Sequence, residues 1–282
     1  MTEADVFEEF LSITIANFPQ QLQVKINNET CNLERNILFM NPKDTPIQID
    51  ERMNVSEYVE SNSQHNEELE QLLSVLDQNL GPKYKKVSKQ IYENHKPWKV
   101  NKLEEMKTPG LVHVSYKSKK EDTLLYMSFM LTNETGCYHE EEDNNETFDC
   151  SVIYLYEIQI LPQLRRQGLG KLLLNEVLVN CGKEIYSNRQ HSKKSSLFNI
   201  NFIGIELTVF SDNINAIKFY EFIGMKLTPW SPQDESVTIE SRITRSQRNN
   251  TMASKNISRK ATRTIIKKPI YYLYYYVYTS IK

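Results

Sequence analysis

The 282-residue chain is 39% hydrophobic, 25% charged and 10% aromatic, proportions that suit a globular protein with a real core, built as one large domain or two small ones. Its 34 Lys and Arg stand against 36 Asp and Glu, a formal charge of -2, which excludes a uniformly basic nucleic-acid coat while leaving room for a local basic patch. Four cysteines, Cys31, Cys137, Cys150 and Cys181, show no C-x-x-C spacing, so neither a disulfide framework nor a Cys-based zinc site is expected. The acid-bearing Met1–Phe10 start and the lack of any apolar run near ~18 residues point to an intracellular, soluble protein without a membrane partner.

Residues 1–66 mix short apolar pieces with Asn, Gln and acids and give no clear element, with Ser61–Asn66 as a loop. From Glu67, Leu69, Leu72, Leu73, Leu76 and Leu80 keep helical spacing up to Gly81-Pro82, and a second helix is expected over Lys83–Tyr92. Leu111–Tyr116 alternates apolar and polar residues, Leu124–Leu131 is apolar and aromatic, and the Lys117–Asp122 link between them has hairpin length. Glu140–Glu146 is an acidic loop; Ser151–Leu161, rich in Val, Ile and Tyr and ended by Pro162, is the strongest strand pattern in the chain. Leu169, Leu172, Leu173, Val177 and Leu178 mark a helix that stops near Cys181-Gly182, and Tyr186–Ser196 reads as a polar, basic loop. Phe202–Phe210 reads as a strand, Asn213–Ile223 as a helix ended by Gly224, and Met225–Pro229 as a further short strand. Gln233–Lys268, rich in Ser, Thr, Arg and Asn, reads as a disordered insertion before a final aromatic strand over Tyr271–Tyr278.

Glycine is scarce, 8 residues or about 3% against a usual ~7%, yet two fall in Arg165-Arg166-Gln167-Gly168-Leu169-Gly170. A strand, a tight turn and a helix starting at that turn bring free backbone N–H groups and the positive helix end to one point, an anion site suited to a pyrophosphate. The spacing is neither a Walker A loop nor a complete Rossmann G-x-G-x-x-G. Taken alone the G-x-G pair is weak evidence, and a tight turn that binds nothing is then the commoner reading.

The same segment fits the R/Q-x-x-G-x-G/A signature, and the element order through Asn213-x-x-Ala216-x-x-x-Tyr220 matches as well. The chain thereby resembles the GNAT superfamily of acetyl-coenzyme A dependent N-acetyltransferases. Within it, Tyr154–Ile160, Arg165–Lys171, Leu207–Phe210 and, upstream, Ile91-Tyr92-Glu93, Trp98 and Glu104-Glu105-Met106 are similar to the NatD type, N-terminal acetyltransferases of histone H4 and histone 2A. The similarity spans residues 70–230.

The resemblance implies an α/β GNAT fold over residues 67–282, interrupted at 233–268: a mixed, mostly antiparallel sheet flanked by helices, with two strands splayed at the acetyl-CoA site. Ile158, Gln159 and Ile160 would pair with the pantetheine arm, Arg165, Arg166, Gln167, Gly168, Leu169, Gly170 and Lys171 would cradle the pyrophosphate, and Asn213 would line the coenzyme A arm. Glu157 is the implied catalytic base or relay for the amine proton; strand alternation puts it with Leu155 on the face opposite Tyr154, Tyr156 and Ile158, where burial would raise its pKa. Tyr156 would position the amine, and Tyr220 stands where many GNATs carry a tyrosine that protonates the leaving thiolate. Tyr92, Trp98, Tyr154 and Thr208 would form the peptide groove, Glu134 would lie near a substrate Arg, and Tyr271 or Tyr272 would supply a further peptide contact. Where the family offers an aspartate this chain has Thr132.

Acetyl-CoA is thus the expected cosubstrate, with no metal. The implied partners are the N-terminal peptides of histone H4 and histone 2A, met in nucleus and cytoplasm without an obligatory auxiliary subunit. The acidic loop 140–146 reads as a solvated loop or as a steering patch for a basic tail. The basic segment 242–268 reads as a linker, a nuclear-targeting patch or a contact to ribosomal RNA or chromatin DNA. Two competing readings remain open: a GNAT with another acceptor, such as a lysine side chain or small amine, and an inactive GNAT fold used as a binding module.

Overall fold

A run of aromatic and aliphatic residues near the N-terminus decides where the first 40 residues go. Phe10 and Leu11 are fully buried, Phe10 meets the Phe129 ring edge-on at 6.0 Å, and Phe18 stacks on that ring at 5.4 Å. The computed structural model describes residues 3–40, 46–49, 59–60, 62–138, 147–191, 195–197, 200–242 and 260–278. It begins with helix α1 (Glu3–Asn17) and strands β1 (Gln21–Ile26), β2 (Glu29–Met40), β3 (Pro46–Ile49) and β4 (Val59–Glu60). Asn27 and Asn28, both at positive φ, close the β1–β2 hairpin as a primed two-residue turn requires.

Helix α2 (Asn62–Tyr92) is one 31-residue helix with Pro82 inside it, where two helices were expected. Its apolar stripe, from Leu69 through Leu76 to Tyr84, is buried on both sides of the proline, so packing of one continuous face outweighs the lost hydrogen bond. Helix α3 (Trp98–Met106) follows, then β5 (Val112–Lys117), β6 (Thr123–Tyr138) and β7 (Thr147–Ile160). A single 3₁₀ turn (Pro162–Leu164) leads to a π-helical stretch (Lys171–Leu178) that runs on as α4 (Val179–His191). The expected stop at Gly182 does not occur. Gly182 lies mid-helix where a Cβ would come within 2.4 Å of the Tyr278 hydroxyl, which donates to the Val179 carbonyl at 2.7 Å.

The chain ends with β8 (Phe202–Phe210), α5 (Ile214–Phe222), β9 (Lys226–Leu227), β10 (Glu235–Arg242), β11 (Lys260–Lys267) and β12 (Tyr271–Val277). The main sheet runs β4-β3-β2-β5-β6-β7-β8-β12-β9, with β1 beside β2. Each pairing is antiparallel except β7 with β8, which is parallel. The expected disordered insertion is in part a hairpin: β10 and β11 pair from Glu235↔Lys267 to Arg242↔Lys260. Its tip, 243–259, and the acidic loop 140–146 lie outside the described residues. Among the described cysteines, Cys31 and Cys181 are free thiols and Cys150 is disulfide-bonded, a cross-link that the cysteine spacing did not announce.

Candidate active site

The centre of the sheet carries one irregularity on which the site depends. Strands β6 and β7 pair Ser128 with Glu157 and then Phe129 with Leu155, so Tyr156 is an extra residue. Such a bulge breaks the alternation of faces. Cross-strand partners share a face, so Leu155 goes with Phe129, towards α1, while Glu157 goes with Ser128, towards α2 and α3. Glu157 therefore does not share the Leu155 face, as strict alternation had it. Tyr154, Tyr156 and Glu157 come together on one side, and the Tyr154 and Tyr156 rings meet edge-on at 4.9 Å.

A second irregularity opens the sheet. Strand β7 pairs with β8 only from Ser151 to Leu155, while Thr208, Val209 and Phe210 turn to Leu273, Tyr272 and Tyr271 of β12. Past Leu155, β7 has no strand partner on that edge, which leaves a cleft with strand-like N–H and C=O groups for an extended ligand beside Ile158, while the Ile160 carbonyl is taken by Arg165 and Asn79. Behind this cleft lies the turn. Arg166 and Gly168 both take positive φ, 65° and 81°, a nest-like geometry that points successive amides one way. The helical ladder begins with the Leu172 amide on the Gly168 carbonyl at 2.9 Å, so the amides of Leu169, Gly170 and Lys171 precede it and stay free for an anion.

The two glycines have different duties. A Cβ on Gly168 would meet nothing within 4 Å, so its glycine serves the positive φ and keeps the amides open. A Cβ on Gly170 would sit 3.2 Å from Phe219, so this one lets α5 pack close, with Asn213 at its N-cap. Arg165 and Gln167 build the turn with their side chains. Arg165 donates to the Ile160 carbonyl at 3.0 Å and to Asn79 Oδ1 at 2.5 Å; Gln167 both accepts from the Lys25 amide and donates to the Lys25 carbonyl, each at 2.8 Å. The Arg166 and Lys171 side chains remain exposed beside the amides.

Glu157 is 6% exposed and fully engaged. Its Oε1 takes the Lys102 ammonium at 2.6 Å and the Tyr84 hydroxyl at 3.0 Å, and its Oε2 takes Gln159 Nε2 at 2.7 Å. These three donors meet the hydrogen-bonding and charge demands that a carboxylate makes when it is buried. Asn79 of α2 donates to Gln159 Oε1 at 3.0 Å and so ties this end of the network to Arg165. Burial raises the Tyr84 hydroxyl well above the usual phenol range, with the Glu157 charge adding to it, so Tyr84 stays a donor. Burial likewise lowers His113 to about 4; neutral, it joins Ser128 Oγ at 2.7 Å to the Met106 carbonyl at 2.9 Å, fixing the end of α3 against β6.

The expected peptide residues ring this centre. Tyr92 donates to Glu105 Oε2 at 2.9 Å, and Trp98 stacks on Tyr84 at 5.3 Å and 16°, bracing the phenol that holds Glu157. Tyr154 and Thr208 share a hydrogen bond between their hydroxyls, and burial lifts the Tyr154 phenol to about 12. Glu134, raised by burial, shares this face with Glu206. Glu206 is the cross-strand partner of Tyr154, is pushed up to about 7 by burial and then by the Glu134 charge, and keeps a buried Oε1 without a hydrogen bond. Register also separates the two candidate tyrosines. Tyr271 partners Phe210, whose ring meets Tyr84 edge-on at 5.2 Å, whereas Tyr272 points to the other face and bonds Asp234. Tyr220 is buried between Phe219 and Tyr274, raised by burial and then by the Glu157 charge.

No family model matches the chain. A curated relative from Saccharomyces cerevisiae, N-alpha-acetyltransferase 40, is 36% identical over 245 residues, which is 84% of this chain and 81% of the relative. The chain belongs to the N-alpha-acetyltransferase 40 family. Weaker structural likenesses include Arabidopsis thaliana NAA60 with a bisubstrate analogue, TM-score 0.36 and 12% identity over 87% of this chain and 99% of that one. An acetyltransferase of the GNAT family from Listeria monocytogenes gives TM-score 0.39 and 10% identity over 91% and 100%. The assignment rests on the yeast relative. In this N-alpha-acetyltransferase 40 family member the residues that sequence reasoning missed are Asn79, Tyr84, Lys102, Glu105 and Glu206, all of which act through side chains brought in from outside the signature segment. Among the described residues no group of three or more His, Cys, Asp or Glu could hold a metal, and no helix is long and apolar enough to cross a membrane.

Proposed function

We propose that this N-alpha-acetyltransferase takes acetyl from acetyl-CoA and places it on the N-terminal serine α-amine of histone H4 and histone 2A. The observation that carries the reading is the bulge at Tyr156, which brings Glu157 and two tyrosines to one side of the sheet beside the splayed strands. Acetyl-CoA supplies the thioester carbonyl; the edge of 156–159, which has no strand partner beyond Leu155, and the amides of 169–171 suit its extended arm and its pyrophosphate.

An α-amine, with a pKa of ~7.7–8.0, attacks only when neutral. Glu157 takes its proton directly or through water, and Tyr156 orients it. Tyr220, whose proton burial retains, returns one to the leaving thiolate. Tyr92, Trp98, Tyr154, Thr208 and Tyr271 wall the groove, all from one chain, so no auxiliary subunit is needed. Glu134 and Glu206 give this groove an anionic side for the arginine of a Ser-Gly-Arg-Gly-Lys start. With such acceptors the protein works in nucleus and cytoplasm, which cell fractionation tests directly.

The decisive assay mixes purified protein, acetyl-CoA and a histone H4 N-terminal peptide and locates the acetyl group by mass spectrometry. Acetylation at the α-amine is expected. Modification confined to lysine side chains or to polyamines would overturn the acceptor assignment.

A further inference from the structure

Lys102 lies on α3 with 2% of its side chain exposed. A buried ammonium is costly unless its charge is met and its protons are bonded. Here two carboxylates meet it, Glu157 at 2.6 Å and Glu105 at 2.5 Å, and Nζ lies 5.3 Å from the centre of the Tyr84 ring. Burial pulls its pKa down, but Glu157, Tyr84 and Glu105 together hold it well above the ordinary lysine range. Each partner is tied onward: Glu105 through Oε2 to Tyr92, and Glu157 through Oε2 to Gln159. One cation thus joins the carboxylate assigned to proton transfer with the tyrosine assigned to the peptide wall.

We propose that Lys102 is a positioning residue for acetyl transfer, whose ammonium supplies the counter-charge of Glu157 and locks it to the Glu105–Tyr92 arm of the groove. This rests on the reading of Glu157 as proton acceptor. The other groups that face Glu157 are uncharged: Tyr84 from α2, Tyr126 and Ser128 from β6, Gln159 from β7 and Tyr220 from α5, with neutral His113 of β5 behind Ser128. Glu105 repels Glu157 unless Lys102 stands between them. Removing the ammonium while keeping its stem therefore leaves two carboxylates facing each other, and both gain affinity for a proton.

The test is the pH profile of kcat/KM for α-amine acetylation of the histone H4 peptide by Lys102→Met. The acid limb is expected to move upward by about one to three pH units, so that the rate on that limb falls roughly tenfold for each unit of displacement, with the rate on the plateau above it and acetyl-CoA affinity by calorimetry unchanged. Lys102→Met combined with Glu157→Gln should be no slower than Glu157→Gln alone, because the lysine acts through the glutamate. Should Lys102→Met fail to fold, Lys102→Met with Glu105→Gln removes one carboxylate along with the cation and is expected to show a limb displaced in the same direction but by less, since only the lost counter-charge remains. An unmoved profile in a variant that binds acetyl-CoA normally, or losses that multiply in the double variant, overturns the proposal while Glu157→Gln remains impaired. A Glu157→Gln enzyme at full rate overturns the reading of Glu157 itself and the proposal with it.

Discussion

The two walls of the cleft are built by different means. On the side proposed for coenzyme A, the turn after β7 offers main-chain amides, shaped by positive φ at Arg166 and Gly168 and held by side chains that point away into β1 and α2. On the side proposed for the peptide, the groups are side chains from α2, α3, β6, β7, β8 and β12, several of them joined through Glu157 and Lys102. A backbone site tolerates change in its side chains as long as the turn survives; a side-chain site fails one residue at a time. Substitutions on the two walls should therefore separate acetyl-CoA affinity from turnover.

The largest separation is expected at Glu157. Glu157→Gln should lower kcat by about 10²–10⁴-fold with acetyl-CoA affinity intact, read by steady-state kinetics beside calorimetry; a parallel loss of affinity would erase the distinction between the walls. Next comes Glu206, whose pKa is raised to about 7 in the fold, above its ordinary value. The fold then binds more protons than the unfolded chain across the window from that ordinary value to about 7, so this group's contribution to stability falls as pH rises through the window. Glu206→Gln should remove that fall and gain about 2 kcal/mol at pH 8 but little at pH 5, measured by urea unfolding, while weakening peptides that carry arginine. A gain independent of pH would sink this account.

On the backbone wall, Gly168→Ala places a Cβ in open space but at positive φ, which costs roughly 1–2 kcal/mol. Acetyl-CoA binding should weaken about 5–30-fold with kcat at saturation kept, and a lowered kcat instead would mean that the turn takes part in the chemistry. The smallest effect is expected at the exposed cations. Arg166→Ala or Lys171→Ala should cost about 0.3–1 kcal/mol in acetyl-CoA affinity, vanishing in high salt, and salt-independent losses would argue for a structural role.

The same contrast governs what the amino-acid sequence revealed. The backbone wall was legible because its requirements are local: two glycines at fixed spacing after a Val/Ile-rich strand. Phe202–Phe210 was read at its full extent because its length and β-branched content left no rival. The peptide wall was legible only in its members, not in its arrangement. Alternation placed Glu157 beside Leu155, since nothing in Tyr156 marks it as the residue that β6 will skip. Lys102 looked like any helical lysine, and only the placement of α3 against β7 buries it. Pro82 and Gly182 were read by their local habits, and in both places tertiary packing prevailed. Residues 1–66 gave no clear element, although Asn27-Asn28 between two strands was available as a hairpin signal.

The clasp between Gln167 and Lys25 has a consequence for how freely this region can vary. Because Gln167 grips position 25 through its backbone amide and carbonyl, the N-terminal hairpin is held without regard to which side chain stands there, and that position can drift without disturbing the turn. Gln167 has no such latitude: glutamate would keep the acceptor and lose the donor. A chain shortened by its first 40 residues would leave the grip empty, so the anion-binding turn would lose its rear support although every residue of its own signature remained.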